Sequence, residues 1–175
     1  YFGKSYIPAL VKRNSSIKYY DPGTLEYGTK YYWKVVAKDP YGGKIESRLW
    51  NFKTVEMSLV SWKDAKIETG YSNSSDIIYI TSSSYVHGTL ELRDWDEDYG
   101  LEIMLMTEEN FGKYIEGYSF DAYHADVKGL RAYFYFENVP AGKYVMVIDN
   151  SHKGWIQPKT NRPVYFSFQS YIRKN

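Results

Sequence analysis

Cysteine is absent from the chain. Disulfide staples, thiolate metal centres and cysteine nucleophiles are therefore excluded. An extracellular setting is not, because many secreted microbial proteins also lack cysteine. Charge of one sign is absent too: 22 Lys and Arg balance 21 Asp and Glu, for a formal net charge of +1. Such a chain has no field to draw nucleic acid or an anionic membrane surface. No apolar run approaches the roughly 18 residues that cross a bilayer, so no membrane insertion is expected of this piece. The chain starts at Tyr1 with no initiator Met and no signal peptide, and reads as a mature or cut piece of something longer. Enzyme fingerprints are missing as well. There is no G-x-S-x-G elbow, no P-loop, no G-x-G-x-x-G turn and no H-E-x-x-H pair. The expectation is a protein that is not an enzyme and has no organic cofactor.

What the chain has in excess is aromatic residues. They make up 19% of 175 residues, and 20 are tyrosine. Tyrosine suits half-buried pleated surfaces, which points to a β-rich protein. In the N-terminal third, "SIKYYDPG" ends in a turn at Asp21-Pro22-Gly23. "TKYYWKVVAKD" alternates, with Tyr31, Trp33, Val35 and Ala37 on one face and Tyr32, Lys34, Val36 and Lys38 on the other. "DPYGGK" is a turn, and "IESRLWNFKT" follows as a second, antiparallel strand.

Leu25, Thr29, Tyr31, Trp33, Val35 and Ala37, then a turn, then Trp50, Phe52 and Thr54 form a pattern that resembles the last half of a fibronectin type III domain. "YFGKS" at the start is similar to the end of strand C in microbial versions of that family. The resemblance covers about residues 1 to 54. It implies an immunoglobulin-like sandwich in which Tyr31 is the corner tyrosine, its hydroxyl bonded to backbone near Leu25. It implies no chemistry, since the family serves mostly as spacer and adhesion modules. The early strands of such a domain do not precede Tyr1 here. The inward face of Tyr31 and Trp33 is thus expected to need a cover, from an upstream part of the same polypeptide or from a second copy.

The character changes near Thr54 to Met57. Domains of 1–55 and 56–175 follow, joined by a Gly- and Pro-free link that predicts an ordered connection with the domains in contact through Trp62. Downstream, "DIIYIT", "YVHGTLELRD", "LEIMLM", "LRAYFYFENV", "KYVMVIDN" and "RPVYFSFQSY" read as strands. Val86, Leu90 and Leu92 share one face, as do Leu101, Ile103 and Leu105, and again Leu130, Ala132, Phe134 and Phe136. One short helix is predicted at "TEENFGKYIEG", capped by Thr107. The stretch "GKYVMVIDNS" resembles the closing hairpin of jelly-roll-like sandwiches in secreted and cell-surface proteins. The fold class read from the sequence is all-β: two tandem β-sandwiches, the first a partial fibronectin type III-like one, the second jelly-roll-like with one short helix.

Four groups of residues are candidates for function. Asp94, Asp96 and Asp98 in "RDWDEDYG" offer an acidic turning loop, the kind of oxygen set that calcium takes. The EF-hand pattern fails there, with Tyr99 and Leu105 at its Gly and acid positions. "DAYHAD" holds Asp121, His124 and Asp126, an acid–base or metal grouping set against a plain loop. Trp95, Tyr99 and Trp155 are loop aromatics beside polar residues, suited to stacking on a surface glycan. Two sequons, at Asn14 and Asn73, lie in polar stretches that read as turns. Together these give a non-catalytic extracellular or cell-envelope module that spaces, adheres or binds a surface ligand. Two alternatives stand beside it: a carbohydrate-binding module using the loop aromatics, and a self-assembling surface subunit completed by a neighbour's strand.

Overall fold

The computed structural model describes residues 1–13, 19–159 and 161–174. The chain divides into two compact units, Tyr1–Met57 and Ser58–Asn175. No helix among the described residues is long and apolar enough to cross a membrane.

The strands of the first unit are short: β1 (Phe2–Gly3), β2 (Lys30–Trp33), β3 (Val36–Lys38), β4 (Lys44–Glu46) and β5 (Trp50–Lys53). β1, β2 and β5 form one antiparallel sheet in that order. The register sets Phe2 beside Trp33, Trp33 beside Trp50 and Tyr31 beside Phe52, so five rings share a face. Phe2 stacks on Tyr31 at 5.1 Å and Trp33 on Trp50 at 4.4 Å between centroids. Tyr31 is 5% exposed, the one large apolar side chain buried among the described residues of this unit. Its hydroxyl accepts the backbone N–H of Glu26 at 3.1 Å, beside half-buried Leu25.

The long strand expected from Thr29 to Lys38 is in fact two. Between β2 and β3 the Val35 N–H donates to the Ser47 hydroxyl at 3.0 Å, a side-chain bond standing in for a ladder bond. The alternation loses its phase there. Val35 and Ala37, expected inward with Tyr31 and Trp33, face solvent instead. β3 and β4 make a separate hairpin, closed by the Asp39 carboxylate accepting the N–H groups of Tyr41 and Gly43.

The second unit holds β6 (Met57–Ile67), β7 (Tyr71–Ser74), β8 (Ile78–Ile80), β9 (Ser84–Leu92), β10 (Glu102–Thr107), α1 (Glu108–Glu116), β11 (Tyr123–Asp126), β12 (Arg131–Val139), β13 (Gly142–Asn150) and β14 (Val164–Lys174). One sheet runs β12-β9-β14-β6. The other runs β11-β10-β13-β7, with β8 also on β13. Their inner faces pack into one core, Val86, Leu90, Phe134 and Phe168 from the first meeting Ile103, Leu105, Met146 and Ile148 from the second. Two antiparallel sheets sharing a core make this a jelly-roll-like β-sandwich with one short helix.

The two sheets differ on their outer faces. β9, β12 and β14 alternate buried and open residues, so the outer face of their sheet is solvated. β10 and β13 do not alternate, because α1 and the segment after it cover the outer face of theirs. There Met104, Met106, Tyr114, Val145 and Val147 form a second core with Phe111 and Phe120. α1 starts where the Thr107 hydroxyl accepts the Asn110 N–H at 3.2 Å, and stops at Gly117 with φ 78°. Trp62 packs within its own unit, against Phe166 and Phe168. Leu130, expected on the inward face, precedes β12 and is exposed. Asn73 sits in β7 opposite Ile148, not in a turn, and the Asn14 sequon lies outside the described residues.

Candidate functional site

Glu102 and Asp149 are adjacent on the covered outer face, paired in register across β10 and β13, with Asp126 of β11 on the other side of Glu102. Both Glu102 and Asp149 are fully buried. Buried carboxylates need donors, and two of these come from the loop that follows β13. Glu102 Oε1 accepts the Ile156 N–H at 2.9 Å, and Asp149 Oδ1 accepts the Ser151 N–H at 3.2 Å. The Tyr114 hydroxyl of α1 donates to Asp149 Oδ1 at 2.7 Å. Glu102 Oε2 lies 2.6 Å from His124 Nε2. Asp149 Oδ2 has no hydrogen-bond partner among the described residues. Both acids press on Gly154, where an added Cβ would stand 1.9 Å from Glu102 Oε1 and 2.4 Å from Asp149 Oδ2.

Two carboxylates this close do not both ionise at ordinary cost. Burial pushes the Glu102 carboxyl above the usual glutamate range, and the charge of Asp149 adds to it, while Ile156 N–H and His124 pull it back. Burial likewise pushes Tyr114 up to about 12. The acids thus act as a clamp that fixes both ends of the Ser151–Ile156 loop to the sheet. The loop is also stapled to itself: Gln157 Nε2 donates to the Gly154 carbonyl at 3.0 Å, and its Oε1 lies 2.8 Å from His152 Nδ1.

The clamp presents Trp155. Its indole is 49% exposed and rests on Phe120 at 4.9 Å and edge-on to His124 at 4.8 Å. Asp126, partly open, lies 3.4 Å from His124 and 2.9 Å from Lys128. An open aromatic face thus stands beside an imidazole and a carboxylate. Asp121, from the same "DAYHAD" stretch, stays exposed in the preceding segment.

The other expected residues lie elsewhere, in the loop before β10. Tyr99 is 4% exposed, its hydroxyl donating to Asp94 Oδ1 at 3.2 Å and its own ionisation pushed up by burial. Trp95 meets Tyr99 edge-on at 6.3 Å and packs on the main core. Tyr99 is thus buried and Trp95 partly buried at this end of the sandwich. Asp94 and Asp96 do come together, but around a cation from the chain itself. Arg162 pairs with Asp94 at 3.0 Å and Asp96 at 3.2 Å. Asp96 Oδ1 also accepts the Asp98 N–H at 3.0 Å, and Asp98 is exposed. The Asp94 and Asp96 oxygens are thus engaged by groups of the protein itself. Among the described residues no three His, Asp or Glu side chains gather as a metal would require.

No family model and no curated protein matches the chain. Among solved structures, a carbohydrate-binding module of Cellvibrio mixtus lichenase 5A, in complex with cellotriose, superposes with a TM-score of 0.34 and 11% identity. The match covers 80% of this chain and 86% of that one. At that score the sandwich rests on its own strand order and core.

Trp155 and His124 were candidates in the sequence; Glu102 and Asp149, which hold the loop beside them, were not. The signal was present: Glu102 stands inside the apolar run "LEIMLM" and Asp149 at the end of "YVMVID". An acid in such a run is buried at a cost that only bonded partners repay.

Proposed function

We propose that the chain is a non-catalytic module of an extracellular or cell-envelope protein, and that its second unit binds a saccharide at Trp155. One observation carries this reading: two fully buried carboxylates are committed to holding a loop whose tryptophan remains half open. A fixed indole face takes the C–H face of a sugar ring, and the neighbouring His124 and Asp126 take hydroxyls. The same burial supports a role without catalysis, since Glu102 and Asp149 expose no oxygen to a substrate.

The first unit, residues 1–55 in this reading, is a fibronectin type III-like spacer. The Tyr31–Glu26 bond and the sheet order β1-β2-β5 support it.

The test is a titration of the indole N–H resonances with a panel of neutral trisaccharides, cellotriose, xylotriose, mannotriose and maltotriose. The Trp155 resonance should shift saturably with at least one sugar, and Trp155→Ala should abolish that binding. A Trp155 resonance indifferent to every sugar at millimolar concentration would sink the reading.

A further inference from the structure

The open outer face of the four-stranded sheet carries a row of rings that packing does not require. Tyr135, His87 and Tyr171 lie side by side on β12, β9 and β14. Their centroids are 5.9 and 5.8 Å apart, and Tyr85 extends the row at 5.5 Å from Tyr135. Tyr133, next outward along β12, is 71% exposed and Tyr135 50%. One step further down the strands the face becomes polar. Between β6, β9 and β14 an open groove of about 200 Å³ is lined by Lys63, Thr89, Glu91, Ser167 and Gln169, with Trp62 at its side.

The chemistry of the face selects among partners. Arg131 pairs with Glu91 at 2.6 Å, Arg173 lies 5.1 Å over the Tyr85 ring, and Lys63 lines the groove. The chain as a whole has a formal net charge of only +1, which gives a polyanion or an acidic peptide little field to follow. The outward positions of β9, β12 and β14 hold no aliphatic side chain, so a protein partner would find none of the packed apolar centre that stable interfaces have. What remains is open aromatic faces beside planar and hydroxyl polar groups. That combination suits the alternating C–H faces and hydroxyls of uncharged sugars. Four strands at about 4.8 Å spacing make the face roughly 14 Å wide, room for several sugar units in a row.

We propose that this face binds an extended neutral polysaccharide chain laid across the strands, from the groove beside β6 to Tyr133 and Tyr135 at β12. The ligand class rests on the saccharide reading above, but the residues are separate from the Trp155 loop. Each can therefore fail alone.

The experiment is affinity electrophoresis of the full chain through gels containing hydroxyethylcellulose, mixed-linkage β-glucan, xylan or galactomannan, with heparin as the charged comparison. The wild type should be retarded by at least one neutral polymer and not by heparin. The double variant Tyr133→Ala/Tyr135→Ala should lose about tenfold or more in apparent affinity, as when an aromatic anchor is removed. Both side chains are exposed, and an unchanged melting temperature will show that the variant folds. Trp155→Ala should keep most of the polymer retardation. Equal retardation of the double variant and the wild type would overturn the sheet-face site and leave the Trp155 reading standing. Loss of retardation in Trp155→Ala alone would do the same. A wild type that no neutral polymer slows, or that heparin slows through the tyrosines, also overturns it, and the trisaccharide titration then judges the loop by itself.

Discussion

Gly154 shows how tightly the loop is drawn onto its acids. A methyl group there would stand inside the contact distance of both Glu102 and Asp149. Gly154→Ala should therefore lift the loop, lower stability by roughly 1–3 kcal/mol and move the Trp155 indole resonance; an unmoved resonance contradicts the clamp. Tyr31 and Tyr32 give a paired test in the first unit. Tyr31→Phe removes the hydroxyl that accepts the Glu26 N–H and should cost about 1 kcal/mol in denaturant unfolding. Tyr32→Phe should cost close to nothing, and equal losses would break the register. Arg162 pairs with both Asp94 and Asp96; with those oxygens engaged, millimolar calcium should leave the melting temperature unchanged. A calcium-dependent rise would restore Asp94, Asp96 and Asp98 as ligands. At this scale the sequence showed residue types but not partners. Arg162 lies 66 residues from Asp96, a separation no local pattern encodes.

Among the elements, β9, β12, β14 and α1 were legible because each has one buried side, and the period of two or the capped turn shows directly. β6 was not. Its inward residues are Val60 and Trp62, then Ala65 and Ile67. The phase slips by one at Asp64, whose φ of 49° marks a bulge, so no run of alternation is long enough to read. β10 and β13 were found as strands, but their second covered face, and the acids on it, were not. That covered face predicts a pH dependence. The residues facing Glu102 are His124 and Asp126 from β11, Asp149 from β13 and the loop N–H of Ile156. Its folded pKa is raised, so the folded state holds the proton more tightly than the unfolded chain. The stabilisation is complete below the unfolded value of about 4.3 and is lost as pH rises through the folded one. Glu102→Gln keeps the shape without the charge. Its melting temperature should gain on the wild type as pH rises, and parallel profiles would contradict a raised pKa.

For the whole molecule, the two units hold very different cores. The second packs residues of both sheets into one cluster and adds another beneath α1. The first buries Tyr31 and little else among its described residues. Calorimetry of the 175-residue chain should show two transitions, with the first unit melting at the lower temperature; a single cooperative peak would tie the units together. Saccharide binding by this chain is best judged on a glycan array probed with the labelled full chain. A saturable signal is expected on at least one neutral glycan, weakened in Trp155→Ala and removed when Tyr133→Ala and Tyr135→Ala are added. A folded protein that binds no glycan above background would contradict it.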